Sequence, residues 1–211
     1  MIDRLLLTSL LALGAEAHAV PGPVEHIAAL LTPVERFQAE FSQTVFGERG
    51  EVKERAEGFV RIARPKKFKW VIEDPYPQLI VTEGDRLYVY DPDLEQVQIR
   101  RVDQALDGTP ALVLTGDAAQ IDANFAVSES IQDGLVTFTL VPKSARALYT
   151  EMRMVFDAEE LAAIDIRDSL GQSTEVRFYN SDASPEFPGN EFEFSVPPSA
   201  DVIGDVPSDP T

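Results

Sequence analysis

Five cations, Arg61, Arg64, Lys66, Lys67 and Lys69, fall within nine residues of this chain, and one of them sits on an apolar row. In an extended chain, side chains alternate between two faces. Gly58, Val60, Ile62 and Arg64 therefore share one side, opposite Glu57, Phe59, Arg61 and Ala63. Past Pro65, Phe68, Trp70 and Ile72 share a side opposite Lys67, Lys69 and Val71. Arg64 continues the row of Val60 and Ile62 while its cationic neighbours turn outward. An arginine does not shed its charge, so a buried one needs hydrogen-bond acceptors for its fork. Either something nearby satisfies Arg64, or it ends a strand and reaches water past Pro65. The outward lysines are open to two readings as well: a docking patch for an acidic partner, or charges that keep edge strands soluble.

Bond-making chemistry has little to stand on. The chain has no cysteine, which excludes thiolate catalysis, thiolate metal sites, disulfides and acylation at an N-terminal cysteine. Of two histidines, His18 lies in the expected leader and His26 in the first helix, where a lone histidine reads as a surface residue. No Gly-rich phosphate loop, GxSxG turn or metal-spaced carboxylate set occurs. Asp91 and Asp93 flank Pro92, and turn chemistry explains them better than acid–base catalysis. No enzyme activity, metal or cofactor is expected; a carboxylate hydrolase is the outlying alternative.

The elements that must position these residues begin after residue 19. Arg4, the apolar run Leu5 to Leu13 and the small-x-small triplet Ala17-His18-Ala19 read as a cleaved export signal over 1–19. One domain over 20–211 is expected to follow, held by its core alone and monomeric. A net charge of −18 disfavours nucleic acid and anionic membranes as partners. Residues 23 to 31 carry Ile27, Leu30, Leu31 and Val34 at helical spacing, with Pro23 in the first turn. From Arg36 the period becomes two and persists almost to the end. Turn signals at Glu83-Gly84-Asp85 and Asp133-Gly134 divide the alternating runs, among them Met152, Met154 and Phe156. The last run, Phe192, Phe194 and Val196, alternates most cleanly and is expected to be a strand, followed by a loose tail from Pro197. Thr109-Pro110 opens a short apolar helix through Leu112 and Leu114. Gly116-Asp117 reads as an ordinary turn.

About eleven strands in an antiparallel meander are predicted, with two short helices. So wide a sheet with one apolar face must curl on itself, the helices plugging its mouth. The interior is then either a hydrophobic ligand cavity or an ordinary packed core.

The order and spacing of several segments resemble the periplasmic outer-membrane lipoprotein carriers of the LolA type. They are Phe37-Gln38-Ala39-Glu40-Phe41-Ser42-Gln43, then Gly58 with Arg64-Pro65 and Phe68-Lys69-Trp70, then Tyr90-Asp91-Pro92 with Glu95-Gln96. Thr109-Pro110 and Phe192 to Pro197 complete the set. The resemblance implies a curved, incomplete antiparallel barrel with a helical lid over a hydrophobic cavity. It implies a carrier that accepts acylated lipoproteins from an inner-membrane ATP-driven exporter and passes them to an outer-membrane receptor. By position, Arg64 looks like the arginine that hydrogen-bonds lid backbone in the closed state, and Phe68 like the aromatic at the mouth. Leu31, Leu112 and Leu114 look like lid residues, over a cavity to which Val60, Ile62, Trp70, Met152 and Met154 contribute. Lys66, Lys67 and Lys69 are candidates for the exporter docking surface. A periplasmic sensor or binder of glycolipids or other amphiphiles is the alternative within the same shape.

Overall fold

The computed structural model describes residues 21–102, 113–114, 117–145 and 147–205. Twelve strands form one sheet: β1 (Arg36–Phe46), β2 (Val52–Ala63), β3 (Lys67–Asp74), β4 (Gln78–Glu83), β5 (Arg86–Asp91), β6 (Gln96–Arg101), β7 (Phe125–Gln132), β8 (Leu135–Pro142), β9 (Tyr149–Asp157), β10 (Glu160–Asp168), β11 (Ser173–Asp182) and β12 (Asp201–Gly204). Their order is β12-β6-β5-β4-β3-β2-β1-β11-β10-β9-β8-β7, so the curved sheet stays open, with β12 and β7 as its edges. Two hairpin meanders are joined where β11 returns to pair with β1. All ladders are antiparallel except β12 on β6.

Turn chemistry accounts for the hairpins. Asp133 and Gly134 both take positive φ, 54° and 86°, between β7 and β8, as the tight primed turn requires. Gly58 answers a different need: a Cβ there would lie 1.9 Å from the Val71 carbonyl oxygen, beside a register shift between β2 and β3. Only glycine allows the two backbones so close.

β6 and β7 stand near opposite edges, so the chain between Arg101 and Phe125 has to travel across the sheet. Val113, Leu114 and Ile121, on that passage, are buried in the main apolar cluster. The cluster also takes Ile27 and Leu31 from helix α1 (Pro23–Leu31), and Phe41, Phe125, Phe138, Met152, Met154 and Phe156 from the sheet. The helix expected from Thr109 lies, with Leu112, largely outside the described residues. A second helix, α2 (Ala118–Asn124), follows it instead. Asp117, read from the sequence as part of a turn, is its N-cap: Asp117 Oδ1 accepts hydrogen bonds from the Ala119 and Gln120 amides at 3.0 and 3.1 Å. The helix is two turns long and buries only Ile121, too little periodicity to betray it.

The C-terminal end corrects two expectations. Phe192, Phe194 and Val196 do not form a strand; they belong to a strap that crosses the outer face of the sheet without a backbone ladder. Phe194 packs against Tyr88 and Tyr90, with ring centroids 5.3 and 5.8 Å away. Prolines 185, 188, 197 and 198 break the segment, and its alternation arises because Phe192 and Phe194 turn onto the sheet while Glu193 and Ser195 face water; Val196 is exposed. Part of the tail beyond Pro197 is tied down as well, since Asp201–Gly204 is β12.

Glu191 anchors the strap. Its Oε1 takes a hydrogen-bonded ion pair from Arg61 at 2.6 Å and another from Lys69 at 2.9 Å. Burial pushes this carboxyl up, but the hydrogen bonds and charges of Arg61 and Lys69 outweigh that and hold it below its ordinary 4.5. A depressed carboxyl contributes attachment that is complete above 4.5 and is lost as pH falls through its folded value. Acidification, or Glu191→Ala at neutral pH, should loosen the strap. Limited proteolysis within 185–200 is expected to accelerate about tenfold in the variant, while β1–β11 stay protected.

Candidate functional site

Arg64 leaves the end of β2 at the turn Arg64-Pro65-Lys66 that leads into β3. Its side chain does not run out to water. Nε donates to the Val34 carbonyl at 2.9 Å, and Nη2 donates to the carbonyls of Leu31 at 2.7 Å and Leu114 at 3.4 Å. Its own amide donates to the Glu35 carbonyl at 2.9 Å. The last carbonyls of a helix lack intrahelical partners and carry the negative end of the helix dipole, so a guanidinium fits there on both counts. One side chain thereby ties the C-terminal end of α1 and the β6–β7 passage to the same strand. Burial lowers the basicity of Arg64 and the Glu35 carboxylate opposes that; a guanidinium starts so basic that it stays charged throughout.

Beside Arg64 opens an apolar recess of about 80 Å³. Leu30, Leu31, Val34, Phe37, Ile62 and Leu114 line it, along with Phe156 and Leu161, and Glu159 and Glu160 add charge. Its volume is well below the roughly 300 Å³ at which small-ligand sites begin, so in the closed molecule the recess is nearly shut. Deeper in, aromatic rings fill the space: Phe41 stacks on Trp70 at 4.1 Å, Trp70 meets Phe68 at 6.4 Å and Phe178 edge-on at 6.3 Å. The closed molecule thus combines the two interiors left open by the sequence, a packed centre and an apolar recess at the latch.

Most of the predicted residues converge here. Leu31, Leu114, Met152 and Met154 are buried in the main cluster, and Ile62, Phe68 and Trp70 pack against it. Val60 is buried but belongs to no part of that cluster, lying in the ladder between Ala39 and Trp70. Of the three lysines, Lys66 and Lys67 are exposed, whereas Lys69 is committed to Glu191. That removes it from a solvent-facing docking patch.

Sequence reasoning missed three features. His26 is not a bare surface residue: its Nδ1 lies 3.0 Å from Glu129 Oε1, and its ring meets Phe138 edge-on at 5.4 Å. Thr82 is the one buried polar side chain recorded among the described residues. Tyr149 buries its hydroxyl without a hydrogen-bond partner among the described residues, and burial alone pushes that phenol far above its ordinary value. An orphaned hydroxyl costs about 1–3 kcal/mol, so Tyr149→Phe is expected to raise stability by about 1 kcal/mol in urea unfolding. A loss of stability would mean that the hydroxyl has a partner after all.

Fold and site together define a lidded, curved-sheet protein with an apolar interior, latched by one half-buried charge. The chain belongs to the family described as outer membrane lipoprotein carrier protein LolA, whose model matches residues 32–195. It is 40% identical over 193 residues, 92% of each chain, to the outer-membrane lipoprotein carrier protein of Chromohalobacter salexigens. To that of Pseudomonas entomophila it is 36% identical over 201 residues, 95% of this chain and 97% of the other. Among solved structures, a conserved protein of Thermus thermophilus shares the fold at a TM-score of 0.51, with 14% identity over 85% of this chain and 97% of that one.

Proposed function

We propose that this protein carries acylated lipoproteins through the periplasm, shielding their acyl chains inside the curved sheet. It accepts them from an ATP-driven exporter in the inner membrane and passes them to a receptor on the outer membrane. The observation that carries this reading is the bonding of Arg64 to Leu31, Val34 and Leu114, because it gives the empty molecule a closed state with a definite energy. Burying a methylene is worth about 0.8 kcal/mol, so a dozen from one acyl chain amount to about 10 kcal/mol. A carrier that kept all of that would not let go. Loading must break the three carbonyl bonds and lift α1 and Leu114 off the interior, and both costs are returned when cargo leaves. Cargo is then held firmly enough to cross water and loosely enough to be handed on. Lys66 and Lys67, exposed beside this mouth, are where the exporter would dock.

The experiment adds the purified mature protein to exporter proteoliposomes and probes the soluble fraction for lipoprotein bound one to one. ATP-dependent release of that complex supports the carrier reading. No soluble cargo with a competent exporter would overturn it and leave a binder of other amphiphiles.

A further inference from the structure

We infer that Thr82 is a positioning residue for the Arg64 latch, a statement that rests on reading Arg64 as the closed-state lock. The β3–β4 ladder runs from Ile72–Gln78 to Lys69–Val81 and stops there. Where the next pair would form, the side chain of Thr82 takes over. Its hydroxyl accepts a hydrogen bond from the Phe68 amide at 2.8 Å and donates to the Lys66 carbonyl at 2.6 Å. A hydroxyl has one proton to give and lone pairs to accept with, so both bonds form together. At 1% exposure no water replaces them.

The two groups it holds lie on the β3 side of the turn from which Arg64 springs, one in the turn and one just past it. Lys66 has φ 60°, a left-handed conformation that costs a long side chain about 1 kcal/mol. Such a turn keeps its shape only if something outside it holds the backbone. In the closed state Arg64 is also steadied by Glu35, Leu31, Val34 and Leu114. Of these, Leu31, Val34 and Leu114 lie on the lid side and depart when the lid opens, whereas Glu35 holds only the Arg64 amide, extending the β1–β2 ladder past Arg36–Ala63, and leaves the turn beyond Pro65 unsupported. Thr82, on β4, stays with the sheet. It therefore keeps the turn, the direction of Arg64 and the placement of Phe68 intact through the open state, so that the latch closes again without having to be rebuilt. A latch organised in advance loses less entropy on closing.

The test uses the full mature chain, which has no cysteine of its own, with spin labels on Ala29→Cys and Glu54→Cys to read the distance from lid to sheet. Thr82→Val keeps the branched shape and removes the hydroxyl; it is expected to raise the open fraction about tenfold, from the loss of bonds to two buried groups. Thr82→Ser should restore the closed distance. In the Arg64→Leu background, Thr82→Val should change the distance no further. Unchanged distances in Thr82→Val, failure of serine to rescue, or an undiminished effect without Arg64 would each overturn the inference. If the valine variant does not fold, exchange of the Phe68 amide in the Arg64→Leu protein decides. Retained protection supports Thr82 as the sheet-side anchor, and lost protection overturns it. None of these readouts involves cargo, so a protein that latches as described yet loads no lipoprotein refutes the carrier reading alone.

Discussion

Arg64→Leu is expected to take up acylated cargo as the parent does and to deliver it to the receptor about 100-fold more slowly. The factor follows from about 2.7 kcal/mol, a modest share of three hydrogen bonds from a charged donor to backbone carbonyls, each worth about 1.5–3 kcal/mol. Leucine leaves the apolar row continuous, so loading loses nothing; what goes is the closed state that competes with cargo for the lid. Measurement is of soluble complex formed and of its transfer to receptor-bearing membranes, scored separately. Arg64→Lys should fall between, because an ammonium lacks the planar fork that reaches Leu31, Val34 and Leu114 at once. Normal onward transfer by the leucine variant would sink the latch.

Phe41→Ala is expected to destabilise the fold by about 3–5 kcal/mol, the usual cost of removing a large aromatic from a packed core. Phe41 is fully buried on β1, stacks on Trp70 at 4.1 Å and faces Gly58 across the ladder, where no side chain can move in to fill the gap. Trp70 is the only tryptophan, so its emission follows urea unfolding without an added probe. A loss below about 1 kcal/mol would mean that the interior repacks easily, contrary to the density expected of a protein core. The same contact makes the variant informative about cargo. A cavity opened beside Trp70 should give a single acyl chain more room, and its binding should shift the emission of any Trp70 it touches.

Tyr149 and His26 show how far a local reading reaches. The helical period placed His26 on α1, whereas Tyr149 stands an odd step from Met152 and Met154, so alternation does not put it on the buried row it shares with them. Their partners left no local mark either: Glu129 meets His26 from β7, over a hundred residues on, and among the described residues the phenol of Tyr149 has no hydrogen-bond partner. Glu191 is the same case, since it is drawn to Arg61 and Lys69 across more than a hundred residues.

What the sequence by itself determined is what backbone geometry and residue type dictate within a few positions. The period of two placed Arg64 in line with Val60 and Ile62, Asp133-Gly134 made a hairpin, Pro23 opened α1, and the apolar rows announced an interior. What only the tertiary structure decided is what those rows meet. Phe192 to Val196 alternates as a strand does, because any segment with one covered side reads that way, and only the packing on Tyr88 and Tyr90 tells strap from ladder. The return of β11 to β1, the acceptors of Arg64 and the hydroxyl of Thr82 bridging Lys66 and Phe68 have no local signature either. Each joins residues whose proximity is created by folding, and a hydrogen bond carries no mark in the sequence until both its ends have arrived.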